Sequence, residues 1–190
     1  MMLKNSKSRF GWVSIAIHWL MAIAIIGMFA LGVWMVGLEY YDDWYHRAPW
    51  LHRSVGMLLL FLLVFRLVWR IANPLPEIMG QWWEKLIAIW IHRGHYLLMF
   101  AVIISGYLIS TALGRGVEVF GWFDFPAILP ADKGRETTAG SIHMLLAWGF
   151  MGYIAMHAAA AMKHHFIDKD ITLLRMLGIN KKKGENSDET

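Results

Sequence analysis

The chain has 190 residues, of which 57% are hydrophobic and only 17% charged. Soluble domains of this size carry about 45–50% apolar residues, so the excess points to a protein that crosses a membrane several times. The absence of cysteine excludes disulfides, iron–sulfur clusters, thiolate-ligated haem and covalent haem attachment, and the net charge of +4 reads as membrane topology rather than nucleic-acid binding.

The first apolar segment runs from about residue 12 to 37. Lys4, Lys7 and Arg9 precede it as they would a signal peptide. Phe10 to Leu38 holds no charged residue, however, and is too long for a cleaved leader, so residues 1–11 read as a tail before an uncleaved anchor. A short polar and aromatic loop, EYYDDWYHRAP, leads to a second span over about 49–70, with Pro49 in its first turn. Asn73–Pro74–Leu75–Pro76 ends that helix. A third span covers about 86–113. The connection over 114–140 is long and contains the interfacial-looking FGWFDFPA. The fourth span covers about 141–163. HHFIDKDITLLRMLG then suggests a short amphipathic piece at the surface, and 177–190 reads as a disordered tail. The expected fold is all-α, an integral membrane four-helix bundle forming one domain over 12–176. Eleven Trp and six Tyr suit aromatic belts at its two rims.

Lys and Arg fall unevenly between the two sides. The amino-terminal tail, the 66–93 connection and the carboxyl tail hold thirteen (three, four and six), whereas the 39–53 and 114–140 connections hold five (two and three). In a bacterial inner membrane this imbalance puts both termini in the cytoplasm.

With orientation set, each buried-looking histidine acquires a depth. His143 and His157 are fourteen residues apart in the last span, about 40° short of four full turns, so both imidazoles leave one helix face roughly 21 Å apart along the axis. His18 lies about 9 Å inside the cytoplasmic end of the first span, the depth of His157. His52 begins the second span at the depth of His143. Four intramembrane histidines thus form two pairs at matching depth, each with one member on the last helix. Histidine in lipid is costly and is generally functional. Iron in a flat macrocycle accepts neutral imidazole from both sides, so each pair is a candidate haem clamp. Any one histidine alone could be a satisfied polar group in a bundle interior; four in this arrangement argue against that reading. Zinc competes poorly, because ligands so far apart share no ion and no thiolate is present.

Cations supply the second half of the pattern. Arg66 follows His52 by fourteen residues and so reaches the depth of the cytoplasmic pair, where a haem propionate offers bidentate pairing. Arg70 and Lys163 are further propionate candidates at that end, and Arg53 at the other; snorkelling to headgroups is the alternative for each. Gly56, one turn past His52, is a candidate for close approach of a macrocycle. His92 and His95 read best as headgroup-level residues, with His95 as a candidate quinone partner.

IAIHWL in the first span, LHRSVGMLLL…RLVWR in the second and SIH…MHAAAAMKHHFIDKDITLLRM in the last resemble the bacterial cytochrome b561 family, and the related cytochrome b subunit of membrane-bound nickel–iron hydrogenases. The resemblance covers Ser14 to Met176. It implies two b-type haems per chain, ligated by His18, His52, His143 and His157. It also implies electron transfer between a periplasmic donor, superoxide being one known in the family, and the quinone pool, with ubiquinone as substrate. Electrons are then expected to enter at the periplasmic haem and to leave for quinone from the cytoplasmic one. Lipid, quinone and an unidentified donor are the expected partners, with a homodimer or a larger complex as the assembly. A rival reading makes the chain the membrane anchor and electron acceptor of a larger oxidoreductase such as a hydrogenase. A haem-free transporter or sensor is the weakest.

Overall fold

The computed structural model describes residues 2–179, so the tail expected over 177–190 lies outside the described residues from 180 onward. Four long helices dominate: α1 (Trp12–Val36), α2 (Arg47–Ala72), α3 (Trp82–Ser110) and α4 (Lys133–Phe166). They hold 25, 26, 29 and 34 residues, each more than the roughly 20 needed to cross a bilayer core of about 30 Å. A two-stranded antiparallel hairpin, β1 (Val117–Val119) and β2 (Phe123–Phe125), lies between α3 and α4. A five-residue helix, α5 (Thr172–Met176), closes the described chain. The chain is an all-α membrane bundle, with the hairpin as its one departure among the described residues.

Helix ends follow local chemistry. α3 starts four residues before the apolar run because Gln81 and Glu84 form a capping box. α4 starts eight residues before its apolar run because the Asp132 carboxylate accepts the Gly134 N–H at 2.9 Å. The 114–140 connection is therefore mostly hairpin and helix rather than open loop. Val117 and Val119 are buried against Met57, with Tyr107 and Phe125 packed alongside. Fully buried Ser54 ties the hairpin to α2 by accepting the Phe120 N–H at 3.1 Å.

The opposite end gathers both chain ends. Buried Asn5 accepts from the Gly11 N–H (2.8 Å) and the Ser14 hydroxyl (2.7 Å), fixing the entry to α1. The Glu77 N–H donates to the Lys7 carbonyl, Arg175 to the Glu77 carbonyl and the Trp19 indole to the Met176 carbonyl. The two ends are called the terminal end and the hairpin end below.

α1 packs on α2, α2 on α3 and α3 on α4, whereas the backbone of α4 stands off from those of α1 and α2. Ile17, Met21, Leu63, Met99 and Phe150 form an apolar plug in mid-bundle. Phe150 lies on α4 halfway between His143 and His157, so the plug separates two levels of the bundle.

Candidate functional site

Across the gap left by α4, four imidazoles meet in two couples. His18 on α1 faces His157 with ring centroids 6.3 Å apart and planes at 64°. His52 on α2 faces His143 at 6.2 Å and 81°. With metal–nitrogen bonds of about 2.0–2.1 Å on each side and ring centroids about 1.1 Å behind the nitrogens, two imidazoles on one metal ion stand about 6.2–6.4 Å apart. Both couples have the spacing that a six-coordinate iron between them requires. Helices that stand apart while their imidazoles reach across supply the slot for a flat group.

The couple at the hairpin end is shaped by backbone and by room. The Val102 carbonyl accepts from His143 Nδ1 at 2.9 Å, and the Ser105 hydroxyl lies 3.0 Å from the same nitrogen. A proton held on Nδ1 leaves Nε2 with its lone pair free for metal, which is how metal-bound histidines are usually oriented. His52 Nδ1 is buried and without a hydrogen-bond partner among the described residues, so the ring lacks the Nδ1 acceptor that His143 has. Two glycines make the space. A Cβ at Gly32 would stand 3.2 Å from His52 Cε1, and one at Gly106 only 3.1 Å from His143 Cε1. A Cβ at Gly56 would meet only Met28 Cε, at 3.7 Å, an ordinary contact, so this glycine makes no room for either imidazole ring.

The couple at the terminal end is shaped by charge. Arg66 places Nη2 3.0 Å from His18 Nδ1 and Nη1 3.6 Å from Met21 Sδ. Arg66 and Arg70 both lie over the Tyr96 ring, at 5.9 and 5.7 Å from its centroid. The headgroup-level reading of His92 and His95 does not hold: their rings turn inward, 5.8 and 4.8 Å from that of His157. At 4.8 Å, the His95 ring is too close to that of His157 for the two to bind opposite sides of one iron. Two arginines and four imidazoles therefore crowd one level, and among the described residues no ion pair joins them to a carboxylate. Such a set of donors awaits an anion.

The remaining predicted residues lie outside these slots. The Lys163 ammonium bridges Glu84 at 2.6 Å and Asp168 at 2.8 Å. His164 pairs with Asp170 and Asp168 at 2.9 and 3.1 Å. Glu84, His164 and Asp168 bring ligand-type atoms within 4.8 Å of one another, but Lys163 already supplies their countercharge. Arg53 is exposed at the rim beside His52. Gly32, Gly106, Val102 and Ser105 were not found by sequence reasoning, because each acts on a histidine of another helix.

Four membrane-length helices with paired imidazoles across a helix gap are the architecture of a membrane cytochrome b. A family model described as prokaryotic cytochrome b561 matches residues 9–178, and the chain belongs to that family. It is 52% identical over 181 residues to cytochrome b561 homolog 2 of Escherichia coli K12, covering 94% of this chain and 96% of the relative. It is 30% identical over 177 residues to a probable superoxide oxidase of Yersinia pestis, covering 89% and 96%. Against cytochrome b561 homolog 1 of E. coli K12 the identity is 28%, covering 90% and 97%. Membership implies b-type haem, electron transfer and a multi-pass place in the bacterial inner membrane.

Proposed function

We propose that the chain is a dihaem b-type cytochrome that passes electrons between a periplasmic donor and the quinone pool. His18 and His157 would hold an inner haem and His52 and His143 an outer one, with both termini in the cytoplasm. The observation that carries this reading is the equal spacing of the two couples, 6.3 and 6.2 Å between ring centroids. Haem held by two imidazoles at each couple would supply one-electron chemistry with no position left open for a substrate, which suits transfer rather than turnover.

The chain's own residues do the rest. Val102 and Ser105 fix the ring of His143, and Gly32 and Gly106 leave the slot open beside both outer ligands. Arg66 and Arg70 would receive the inner propionates, and Arg53 those at the outer rim. Lys163 would reach an inner propionate only by leaving Glu84 or Asp168. The donor reading takes its lead from the probable superoxide oxidase among the relatives, and the lysine and arginine count sets the orientation.

Reduced-minus-oxidised spectra of the purified chain, with haem extracted and counted, test the proposal. Two b-type haems per chain are expected, and a colourless or single-haem preparation overturns it. Quinone reduction by the isolated chain is expected too. A protein that reduces quinone only with a stably co-purifying periplasmic partner would instead be the anchoring subunit of a larger oxidoreductase.

A further inference from the structure

His92 and His95 turn into the bundle without belonging to either couple. His95 stands the closer of the two to His157. It comes from α3 and lies against a single stripe of α4. Its ring centroid is 4.8 Å from that of His157, 4.8 Å from that of Tyr153 and 5.9 Å from that of Phe150. Phe150, Tyr153 and His157 are spaced by three and then four positions, so they share one helix face. His95 enters between them as a knob enters a hole.

The knob is itself held. His95 Nδ1 donates to the Ile91 carbonyl at 2.8 Å; a carbonyl only accepts, so the proton sits on that nitrogen. Tyr153 packs on the imidazole with planes at 56°, and its hydroxyl donates to the Trp90 carbonyl at 3.3 Å. Gly94 makes room for this. A Cβ there would fall on the Tyr153 hydroxyl and stand 2.7 Å from its Cζ, so any side chain at 94 would push the phenol ring away from α3. Gly94, Tyr153 and His95 therefore support one another, and together they back the ring of His157.

A ligand ring turns about its bond to iron unless a neighbour holds it, and such neighbours orient the ligand and tune the metal. The Val102 carbonyl holds His143, and Arg66 lies on His18. For His157 the support is a ring, His95, with planes at 67°. We propose that His95, backed by Tyr153 and Gly94, is a positioning residue that sets the plane of the His157 ring. It thereby sets the 64° crossing of the His18 and His157 planes. That crossing has a chemical consequence, because the angle between two axial imidazoles governs how the iron d orbitals split. The inference rests on the dihaem reading and gives it a residue that acts on the inner ligand through packing rather than charge.

EPR spectra of the purified ferric protein test this, with haem extracted and counted in every sample. Both couples are crossed, at 64° and 81°, so the wild type should give two strongly anisotropic low-spin signals. The inner signal is the one that His18→Ala removes. His95→Ala should shift that signal toward the less anisotropic form, since unrestrained imidazoles on ferric haem settle closer to parallel, and should leave the outer signal in place. Gly94→Ala adds one methyl group and no charge, and should give the same shift by displacing Tyr153. Tyr153→Ala should do likewise, whereas Tyr153→Phe keeps the ring and should restore the wild-type signal. An inner signal unmoved by both His95→Ala and Gly94→Ala overturns the proposal. So does a loss of haem in which the remaining inner signal keeps its position, which is what a merely structural role predicts. A shift in Tyr153→Phe as large as that in Tyr153→Ala also overturns it, because the hydroxyl rather than the ring would then be acting. Haem count in the wild type separates the two readings: fewer than two haems there fails the dihaem reading, whereas two haems with an inner signal indifferent to His95 fails the positioning role alone.

Discussion

The two histidine couples have nearly the same spacing and nothing else in common. At the terminal end, His18 and His157 sit among Arg66, Arg70, His92 and His95, a level set by charge. At the hairpin end, His52 and His143 sit between two glycines and a backbone carbonyl, a level set by space. The difference bears on redox balance. Positive charge beside a metal favours its reduced form, whereas a carbonyl accepting the ligand's N–H makes the imidazole more basic and favours the oxidised form. The inner site should therefore have the higher potential, and optical redox titration should resolve two waves. A single two-electron wave would remove this contrast.

The largest effects test whether the couples are separate at all. His18→Ala or His157→Ala should remove one haem and leave the other, and His52→Ala or His143→Ala should do the reverse, read as the loss of one titration wave. Gly106→Leu comes next. Its side chain would drive into His143, and overpacking of about 1–3 kcal/mol should empty most of the outer site while the inner spectrum persists. Loss of both haems from any one of these variants would show that the apolar plug of Met21, Leu63, Met99 and Phe150 does not insulate the two levels.

Arg66→Leu sharpens the charge side of the contrast. Removing a cation from the inner level should lower that potential by about 60 mV, which is about 1.4 kcal/mol for one electron, with the outer wave unmoved. An unchanged inner wave would mean that the guanidinium serves Tyr96 and Met21 rather than a propionate.

How much of this was legible in the sequence depends on whether the signal runs along one helix or between two. The spans and the matched depths of His18 with His157 and of His52 with His143 follow from helical rise and charge asymmetry, which are properties of single segments. Gly32 and Gly106 carry no such signal, because their meaning is the distance to a ring on another helix. In the sequence, His92 and His95 read as headgroup-level because they sit where the third span enters, close to Glu84, Lys85 and Arg93. A helix can send Arg93 outward and both histidines inward, since residues three apart share a face. The early start of α4 was hidden because the polar DKGRE stretch resembles a loop, although its Asp is the cap that begins the helix.

The smallest expected effect falls on the residue where charge could be misread. Lys163 lies at the terminal end, the end rich in cations, and a simple count would give its ammonium to the inner haem. The structure pairs it instead with Glu84 and Asp168, at 2.6 and 2.8 Å, with its side chain 42% exposed. Exposed pairs of this kind are screened by salt and contribute little to stability. Lys163→Met should accordingly leave both waves and the haem count in place, and loosen only the contact between the end of α4 and the start of α3. A fall in the inner potential comparable to that of Arg66→Leu would place the ammonium with the propionates, and would extend the charged level further toward the terminal end.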